Sequence, residues 1–527
     1  MVSVSLPLHG VGEPRPDLAT LSAMHDHAVA TMPDAVAVRQ RGRALTFAGE
    51  SGAIGALARR LAARTDPGDA VALLLPNGMA FRVAYFAALR ALAAPALLNP
   101  LYPQAQLEPL LRAVAPRLII CAPETRDLVA TLARRLGVAD VICLGETAPD
   151  AILVDALAAE PDAALDRPPP EPDGVAALMF TGGTTGLPKI VEHTHERLLT
   201  AIRCMEYSWP TRASGEVWLP IAPFTHIYGF LQGMLGPVSA RAELIVPDRF
   251  QPEHVVDLLA RHRVTVFGGG PPAIYAGLLS AANLDGADLS ALRVCPAGGA
   301  PMPVELLDRW RRVTGCEIHE GYGMTEMAPI SGTTDLSGVR PGSVGPAIPC
   351  NTIQIVDVET GTQILPPGER GEVRVRGPHM MAGYRDRPEE TAQTLRDGFI
   401  HTGDIGHLDA DGFLFITDRK KDVVFVKGFN VFPREIEEVI HAFPGADAVG
   451  VVGAPDPRSG GEKLVAFVVP RAGQIVDEAA LAAHCAERLV AYQRPAELRV
   501  VQRLPITGAQ KLDRLALRRM AEEPSAG

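Results

Sequence analysis

Thr181-Gly182-Gly183-Thr184-Thr185-Gly186-Leu187-Pro188-Lys189 stands directly after the apolar run Val175-Ala176-Ala177-Leu178-Met179-Phe180. An apolar run of this length bounded by glycines predicts a buried strand feeding a tight turn. Three glycines let the backbone turn sharply and bring its amides close to an anion, while the threonine hydroxyls add donors and Lys189 adds a positive charge. That chemistry suits a polyphosphate. It is not the P-loop, in which Ser or Thr follows the lysine at a fixed glycine spacing; here Pro188 precedes Lys189 and Ile190 follows it. Taken alone, the stretch reads equally well as a Gly/Thr surface loop.

The pattern around this strand is that of an α/β protein. Toward the N-terminus, residues 47–63 and 80–92 suit helices, and 70–75, 117–121 and 141–144 suit short buried strands. Strands alternating with helices of this length predict parallel sheets covered on both faces. The proline-rich segment 166–173 reads as a surface connection. Further strands are expected at 217–221 and 264–267. From about Gly342 the texture changes to shorter strands at 353–356, 371–375 and 413–417 separated by Gly/Pro turns, as in a small antiparallel β-barrel. The last hundred residues read as a compact α+β module. In it 423–426 is a strand, and Pro433 opens a helix with Ile436, Val439, Ile440 and Phe443 on one face. The expected architecture is a large N-terminal α/β domain over 1–420, with the barrel-like subdomain in its last third, and a mobile α+β domain over 421–527.

The chain has 527 residues, 47% of them hydrophobic, and a net charge of −11. That balance argues against nucleic acid or an anionic membrane surface as the main partner. Seven dispersed cysteines without a C-x-x-C pair predict reduced thiols, neither a disulfide framework nor a zinc site. Residues 1–10 lack the basic head and apolar run of a secretion signal, and the apolar stretch 71–98 is interrupted by Pro76, Asn77, Arg82 and Arg90. That is too broken to span a bilayer. A soluble, cytoplasmic protein with no integral membrane segment is expected.

Downstream of the Thr/Gly loop come Pro223-Phe224-Thr225-His226-Ile227-Tyr228-Gly229, Gly298-Gly299-Ala300-Pro301-Met302, Gly321-Tyr322-Gly323-Met324-Thr325-Glu326 and His401-Thr402-Gly403-Asp404. Asp418-Arg419-Lys420-Lys421-Asp422, Gly428-Phe429-Asn430 and a near-terminal Lys511 follow. In this order and over nearly the whole chain, the series resembles the adenylate-forming superfamily of acyl-CoA synthetases, adenylation domains and firefly luciferase.

The resemblance implies an enzyme that joins a carboxylic acid to ATP as an acyl-adenylate, releasing pyrophosphate, and then passes the acyl group to the thiol of CoA. It implies an ATP/AMP site of Thr181, Gly182, Gly183, Thr184, Thr185, Gly186, Lys189, Gly298, Gly299, Ala300, Tyr322, Gly323, Asp404 and Arg419. Within it Tyr322 offers a flat face to adenine, Asp404 accepts from the ribose hydroxyls and Arg419 binds the same sugar. Lys511 stands between the carboxylate and the α-phosphate, Glu326 holds Mg²⁺, and Thr325 donates to phosphate. His226 has a positioning role beside the acyl pocket, which Ile227, Tyr228, Gly269, Gly270 and Gly323 also border. Lys421 is the hinge, and Gly428, Phe429 and Asn430 line the path of CoA. Each of these residues also has an ordinary structural role open to it: a core tyrosine, an aspartate capping a turn, a solvated basic turn, a hydrogen-bonded histidine.

Three departures from the family pattern stand out. Gly182 replaces a serine, Ile190 stands where glycine commonly follows Lys189, and Gln510 stands where a glycine usually precedes Lys511. No aspartate accompanies Phe224-Thr225-His226, which argues against an amino-acid substrate. A fatty or other aliphatic acid leads, with an aryl acid as the alternative. Two further readings stay open: transfer to a separate acyl carrier protein instead of CoA, and an inactive nucleotide-binding relative.

Overall fold

In the computed structural model the described residues are 17–145, 152–160, 165–181, 188–212, 215–300, 302–426, 429–456, 461–471, 473–506 and 512–523. The loop positions Gly182, Gly183, Thr184, Thr185 and Gly186, together with Gly428 and Lys511, lie outside them. Contacts group the chain into two compact units. The first comprises the residues up to Ile353 with Val375–Ile400 and Gly412–Leu414; the second comprises Gln354–Arg374, His401–Asp411 and the residues from Phe415 on.

The first unit is built on two large sheets. One has seven strands in the order Ile152–Leu153, Asp140–Gly145, Leu118–Cys121, Ala70–Leu74, Ala94–Leu97, Val175–Phe180 and Ile190–Thr194. Every neighbouring pair is parallel except the last, in which Phe180 faces Ile190 antiparallel. Side chains alternate across a strand, and the two cores record it: Val71 and Leu73 enter one cluster, Ala70, Ala72 and Leu74 the other. The second sheet runs Val266–Gly268, Val217–Pro220, Glu243–Ile245, Val36–Gln40 and Arg43–Thr46. Its Trp218, Leu244 and Val266 share the first core, while Leu219, Ile245 and Phe267 face a third. Burial on both faces is why these strands read as near-continuous apolar runs. A smaller sheet, Cys295–Ala297, Ile318–Met324 and Met327–Gly332, ends in an antiparallel hairpin.

Helices Leu21–Thr31, Phe47–Ala62 and Met79–Arg90 bury three charged or polar groups together. Arg82, fully buried, donates through Nε and Nη2 to both Glu50 oxygens at 2.6 and 2.7 Å, and His25 Nε2 lies 3.2 Å from the same carboxylate. These partners outweigh burial and hold the Glu50 carboxyl down at about 2. Arg82, which interrupts the apolar stretch in the sequence, is thus an internal cross-link between helices. Among the described residues no helix is long and apolar enough to cross a membrane.

The expectation of seven reduced thiols is corrected for one pair, while Cys121, Cys143, Cys295, Cys316 and Cys485 are thiols outside any disulfide. Cys204 and Cys350, 146 residues apart in sequence, meet sulfur to sulfur as a disulfide-type pair, a proximity that only the tertiary fold creates. Cys121 and Cys143 are register partners on adjacent strands, and Cys295 Sγ lies 3.6 Å from Cys316 Sγ.

Strands Thr352–Val356, Gly371–Arg376, Phe399–Leu408 and Leu414–Arg419, the greater part of each assigned to the second unit, follow one another across a sheet. The C-terminal residues form an α+β module, in which Ala446–Asp456 pairs antiparallel with Gly461–Pro470, and Glu497–Val500 joins parallel. The helix Pro433–His441 packs Ile436 and Ile440 fully buried against this sheet, with Val439 and Phe443 at the edge.

Removing one partner of a buried ion pair strands the other's charge. Arg82→Ala should therefore cost about 3–5 kcal/mol. Arg90→Ala, which breaks a partly exposed pair with Asp26 at 2.6 Å, should cost less than about 1 kcal/mol. Urea-unfolding midpoints of the two variants against the wild type measure the difference.

Candidate active site

The Thr/Gly loop joins two antiparallel strands, so its ends are fixed. Thr181 N donates to the Lys189 carbonyl at 3.0 Å, and Lys189 N reaches Thr181 Oγ1 at 3.4 Å. Ile190, the departure after the lysine, opens the returning strand and is buried in the core beneath it. Lys189 Nζ lies 4.4 Å from the centroid of the Tyr384 ring. At that distance the ring face attracts the ammonium.

The hairpin Ile318–Met324 and Met327–Gly332 carries the next group. Tyr322 faces Ser331 across it, Met324 faces Met327, and Thr325 and Glu326 form the turn. Glu326 is buried, and the Tyr384 hydroxyl donates to its Oε1 at 2.5 Å. Burial and this carboxylate push the Tyr384 phenol well up, so it stays protonated and donates. The segment holding Tyr384 is pinned to the same turn, since Met381 N donates to the Glu326 carbonyl at 2.8 Å. His193, whose ring bonds the Thr325 backbone, is buried and held neutral, its value pulled down to about 4 chiefly by desolvation. Tyr384 is a site residue that the motif reading missed. Its signal was Gly383-Tyr384 shortly after Arg376-Gly377-Pro378, but nothing in the sequence pairs it with Glu326.

The segment 222–230 is shaped by Asn77, which accepts from Phe224 N at 2.8 Å and donates to the Ala222 carbonyl at 2.9 Å. His226 is exposed and caps the short turn Ile227–Gly229, its Nδ1 accepting from Tyr228 N at 3.2 Å. Ile227 is buried. The Tyr228 hydroxyl donates to the Pro296 carbonyl at 2.9 Å, and its ring lies between Gly270 and Gly298. A Cβ on Gly270 would stand 3.6 Å from that ring, and one on Gly298 would stand 3.6 Å from it and 2.9 Å from the Gly321 carbonyl. At Gly269 a Cβ would meet the Tyr275 ring at 2.7 Å, so this glycine admits an aromatic packing contact. Gly299, at φ +86°, turns the chain outward, leaving Gly299 and Ala300 exposed. Gly323 lies exposed against Ala328.

In the second unit Asp404 is buried beside the exposed Arg419, whose Nε lies 2.5 Å from its Oδ1. Thr402 Oγ1 accepts from Asp404 N at 3.0 Å and donates to the Val373 carbonyl at 2.7 Å, fixing the turn. Lys420 Nζ pairs with Glu372 at 2.9 Å. Lys421 is exposed, and its carbonyl accepts from Arg518 at 2.8 Å. Asp422, next in sequence, faces Arg514 and Arg518 at 3.6 and 3.5 Å. Phe429 and Asn430 lie on the strand Phe429–Val431, antiparallel to Val424–Val426. Ile506 and Leu512 flank the Lys511 connection and pair antiparallel.

The described donors and acceptors thus gather in two sets. The first unit joins Lys189, Thr325, Glu326 and Tyr384 near Tyr322, and the second holds Asp404 with Arg419.

A sequence model of the AMP-binding enzyme family matches residues 25–385, and that of the AMP-binding enzyme C-terminal domain matches 435–511. A long-chain-fatty-acid–CoA ligase of Bacillus subtilis is 34% identical over 96% of this chain and 94% of its own. A feruloyl-CoA synthase of an Amycolatopsis species is 36% identical over 92% and 96%. The crystal structure of ATP-bound MatB from Rhodopseudomonas palustris superposes with a TM-score of 0.87 at 30% identity, covering 96% of this chain and 99% of that one. With both domain types matched in order, and similarity that runs through the hairpin of Glu326, the chain belongs to the AMP-binding enzyme family, as an ATP-dependent, AMP-forming acyl-CoA synthetase.

Proposed function

We propose that this ligase activates a fatty or other aliphatic acid as its acyl-adenylate and transfers the acyl group to CoA. The observation that carries the assignment of roles is the buried Glu326 carboxylate, held by the hydroxyl of Tyr384, over whose ring the Lys189 ammonium lies. Two anions must meet for carboxylate to attack phosphate, and this group supplies an oxygen ligand, a hydroxyl and an ammonium in one place. A carboxylate backed by a neutral phenol is a hard oxygen donor suited to Mg²⁺. Bound there, Mg²⁺ would neutralise phosphate charge. Thr325 donates to phosphate, Thr181 and Lys189 anchor the loop around the polyphosphate, and Tyr322 stacks on adenine. Asp404, paired with Arg419, accepts from the ribose. Lys511 enters between carboxylate and α-phosphate.

His226, Ile227, Tyr228 and Gly270 border the acyl pocket. An aryl acid is the second reading, favoured by the 36% identity to the feruloyl-CoA synthase and by the Tyr228 ring beside Gly270 and Gly298. We place the domain boundary at 420/421, with Lys421 as the hinge and residues 428–430 on the thiol's path. ATP and CoA as co-substrates support a cytoplasmic setting. A separate carrier protein is the alternative acceptor.

Mass spectrometry of products from the purified protein with Mg-ATP, CoA and a panel of short, medium, long-chain and aryl acids tests the proposal. Aliphatic acyl-CoA is expected. Aryl-CoA alone would transfer the assignment to the second reading, and acyl-adenylate without acyl-CoA would point to a carrier protein. Lys511→Ala should lower adenylation about 10²–10³-fold, the scale on which an oriented charge stabiliser acts, while sparing thioester formation from a supplied acyl-adenylate. Equal loss in both half-reactions would contradict the role given to it. Tyr384→Phe leaves Glu326 without its phenolic donor, and should raise the Mg²⁺ concentration needed for half-maximal pyrophosphate release about tenfold.

A further inference from the structure

On the helix His195–Ser208, Cys204 points its fully buried sulfur at two partners from distant parts of the chain. One is Cys350, just before the strand Thr352–Val356; the other is His379, just after the strand Gly371–Arg376. The two sulfurs touch, and His379 Nδ1 lies 3.8 Å from Cys204 Sγ. Sγ of both cysteines and one ring nitrogen of the histidine lie within 4.8 Å of one another, and among the described residues this is the one cluster of three such donors.

The histidine tautomer follows from its other nitrogen. His379 Nε2 lies 2.9 Å from the Pro329 carbonyl, which can only accept, so Nε2 carries the proton and Nδ1 presents a lone pair to the sulfurs. An imidazole fixed through its remote N–H by a backbone carbonyl is the usual outer arrangement of a metal-bound histidine. Asn351 Nδ2 donates to the same carbonyl at 3.0 Å, holding it in place, and Cys350 Sγ lies 3.3 Å from Asn351 Oδ1. The Cα atoms of Cys204 and Cys350 are 7.1 Å apart. Ordinary disulfides span about 4.4–6.8 Å. A tetrahedral zinc with Zn–S near 2.3 Å and Zn–N near 2.0 Å sets sulfur and nitrogen about 3.5 Å apart, close to the separation of Cys204 and His379, and its two sulfurs about 3.8 Å apart, so the touching sulfurs must part to admit it.

We propose that Cys204, Cys350 and His379 form a binding site for a thiolate-preferring divalent cation of the zinc class, separate from the Mg²⁺ and nucleotide site. Once a two-electron reductant, such as a cellular dithiol, has converted the pair to two thiols, loading releases their two protons to solvent and the cation takes the protons' place. Two thiolates and a neutral imidazole leave the buried cluster uncharged, as burial requires. Three protein ligands leave the fourth position to water. The cation would tie the helix His195–Ser208 to the segment that begins at His379 and ends at Tyr384, the residue holding Glu326.

The test uses the full chain, reduced with a non-thiol reductant, stripped by a chelator and titrated with Co²⁺. One equivalent should bind, with a sulfur-to-cobalt charge-transfer band in the near ultraviolet and tetrahedral d–d bands in the visible, both displaced by Zn²⁺. Cys204→Ser and Cys350→Ser should abolish the charge-transfer band, and His379→Gln should weaken binding at least about tenfold, as loss of a ligand or its support does. Because variants of a buried cluster can fail to fold, the wild type is also alkylated with and without Zn²⁺. Protection of Cys204 and Cys350 but not of Cys143 supports the site. Absence of the band in the reduced wild type, or equal alkylation with and without Zn²⁺, overturns it. So does isolation of a Cys204–Cys350 cystine peptide from a protein that takes up no cation after reduction.

Discussion

A carboxylate taken out of water must be given partners or it takes up a proton, and Glu326 is where this chain meets that demand. The hairpin turn sets the residue in the interior. Tyr384 arrives from more than fifty positions downstream to donate to it through its hydroxyl, and the Lys189 ammonium lies over the face of the same ring. Three segments remote in sequence, the end of the Thr/Gly loop, the hairpin and the stretch after Arg376, thereby meet through one tyrosine. The backbone bond from Met381 to the Glu326 carbonyl repeats the registration independently of any side chain. A carboxylate held this way is oriented by the fold itself, the condition under which a polar group acts without reorganisation.

The large first unit serves that arrangement by being stiff. Each of its two main sheets is covered on both faces, so the strand preceding the loop cannot tilt without disturbing two cores. Glu50, Arg82 and His25 add a polar cross-link inside the largest of them, where geometry, not area, decides the packing.

Local pattern made much of this legible. The run 175–180 announced a buried strand because every residue in it is apolar and glycines follow, and Pro433 with its spaced isoleucines announced an amphipathic helix. Both are present where the pattern put them. Resemblance, not periodicity, picks out the motif from Gly321 to Glu326, and the hairpin that it forms is not foretold by either. What could not be read were contacts between side chains far apart in sequence. Tyr384 looks like an ordinary aromatic, Arg82 like an interruption of an apolar stretch, and Cys204 and Cys350 like unrelated thiols. Their roles arise from tertiary neighbours, and no one-dimensional spacing encodes those. Asn77 is a middle case: Pro76-Asn77-Gly78 marks a turn, but its side chain is spent on shaping residues 222–224.

The bonds around Lys421 have a mechanical meaning. Arg518 holds the Lys421 carbonyl, and Arg514 grips Asp422 on one side and both oxygens of Glu437 on the other, at 2.8 and 3.0 Å. Both arginines belong to the helix Arg514–Glu522, which begins three residues after Lys511. The first and last parts of the C-terminal module are therefore bolted to each other through one helix. Residues 421 and 422 and the helix Arg514–Glu522 are coupled in this way, so that displacing either one strains the bonds that join it to the other.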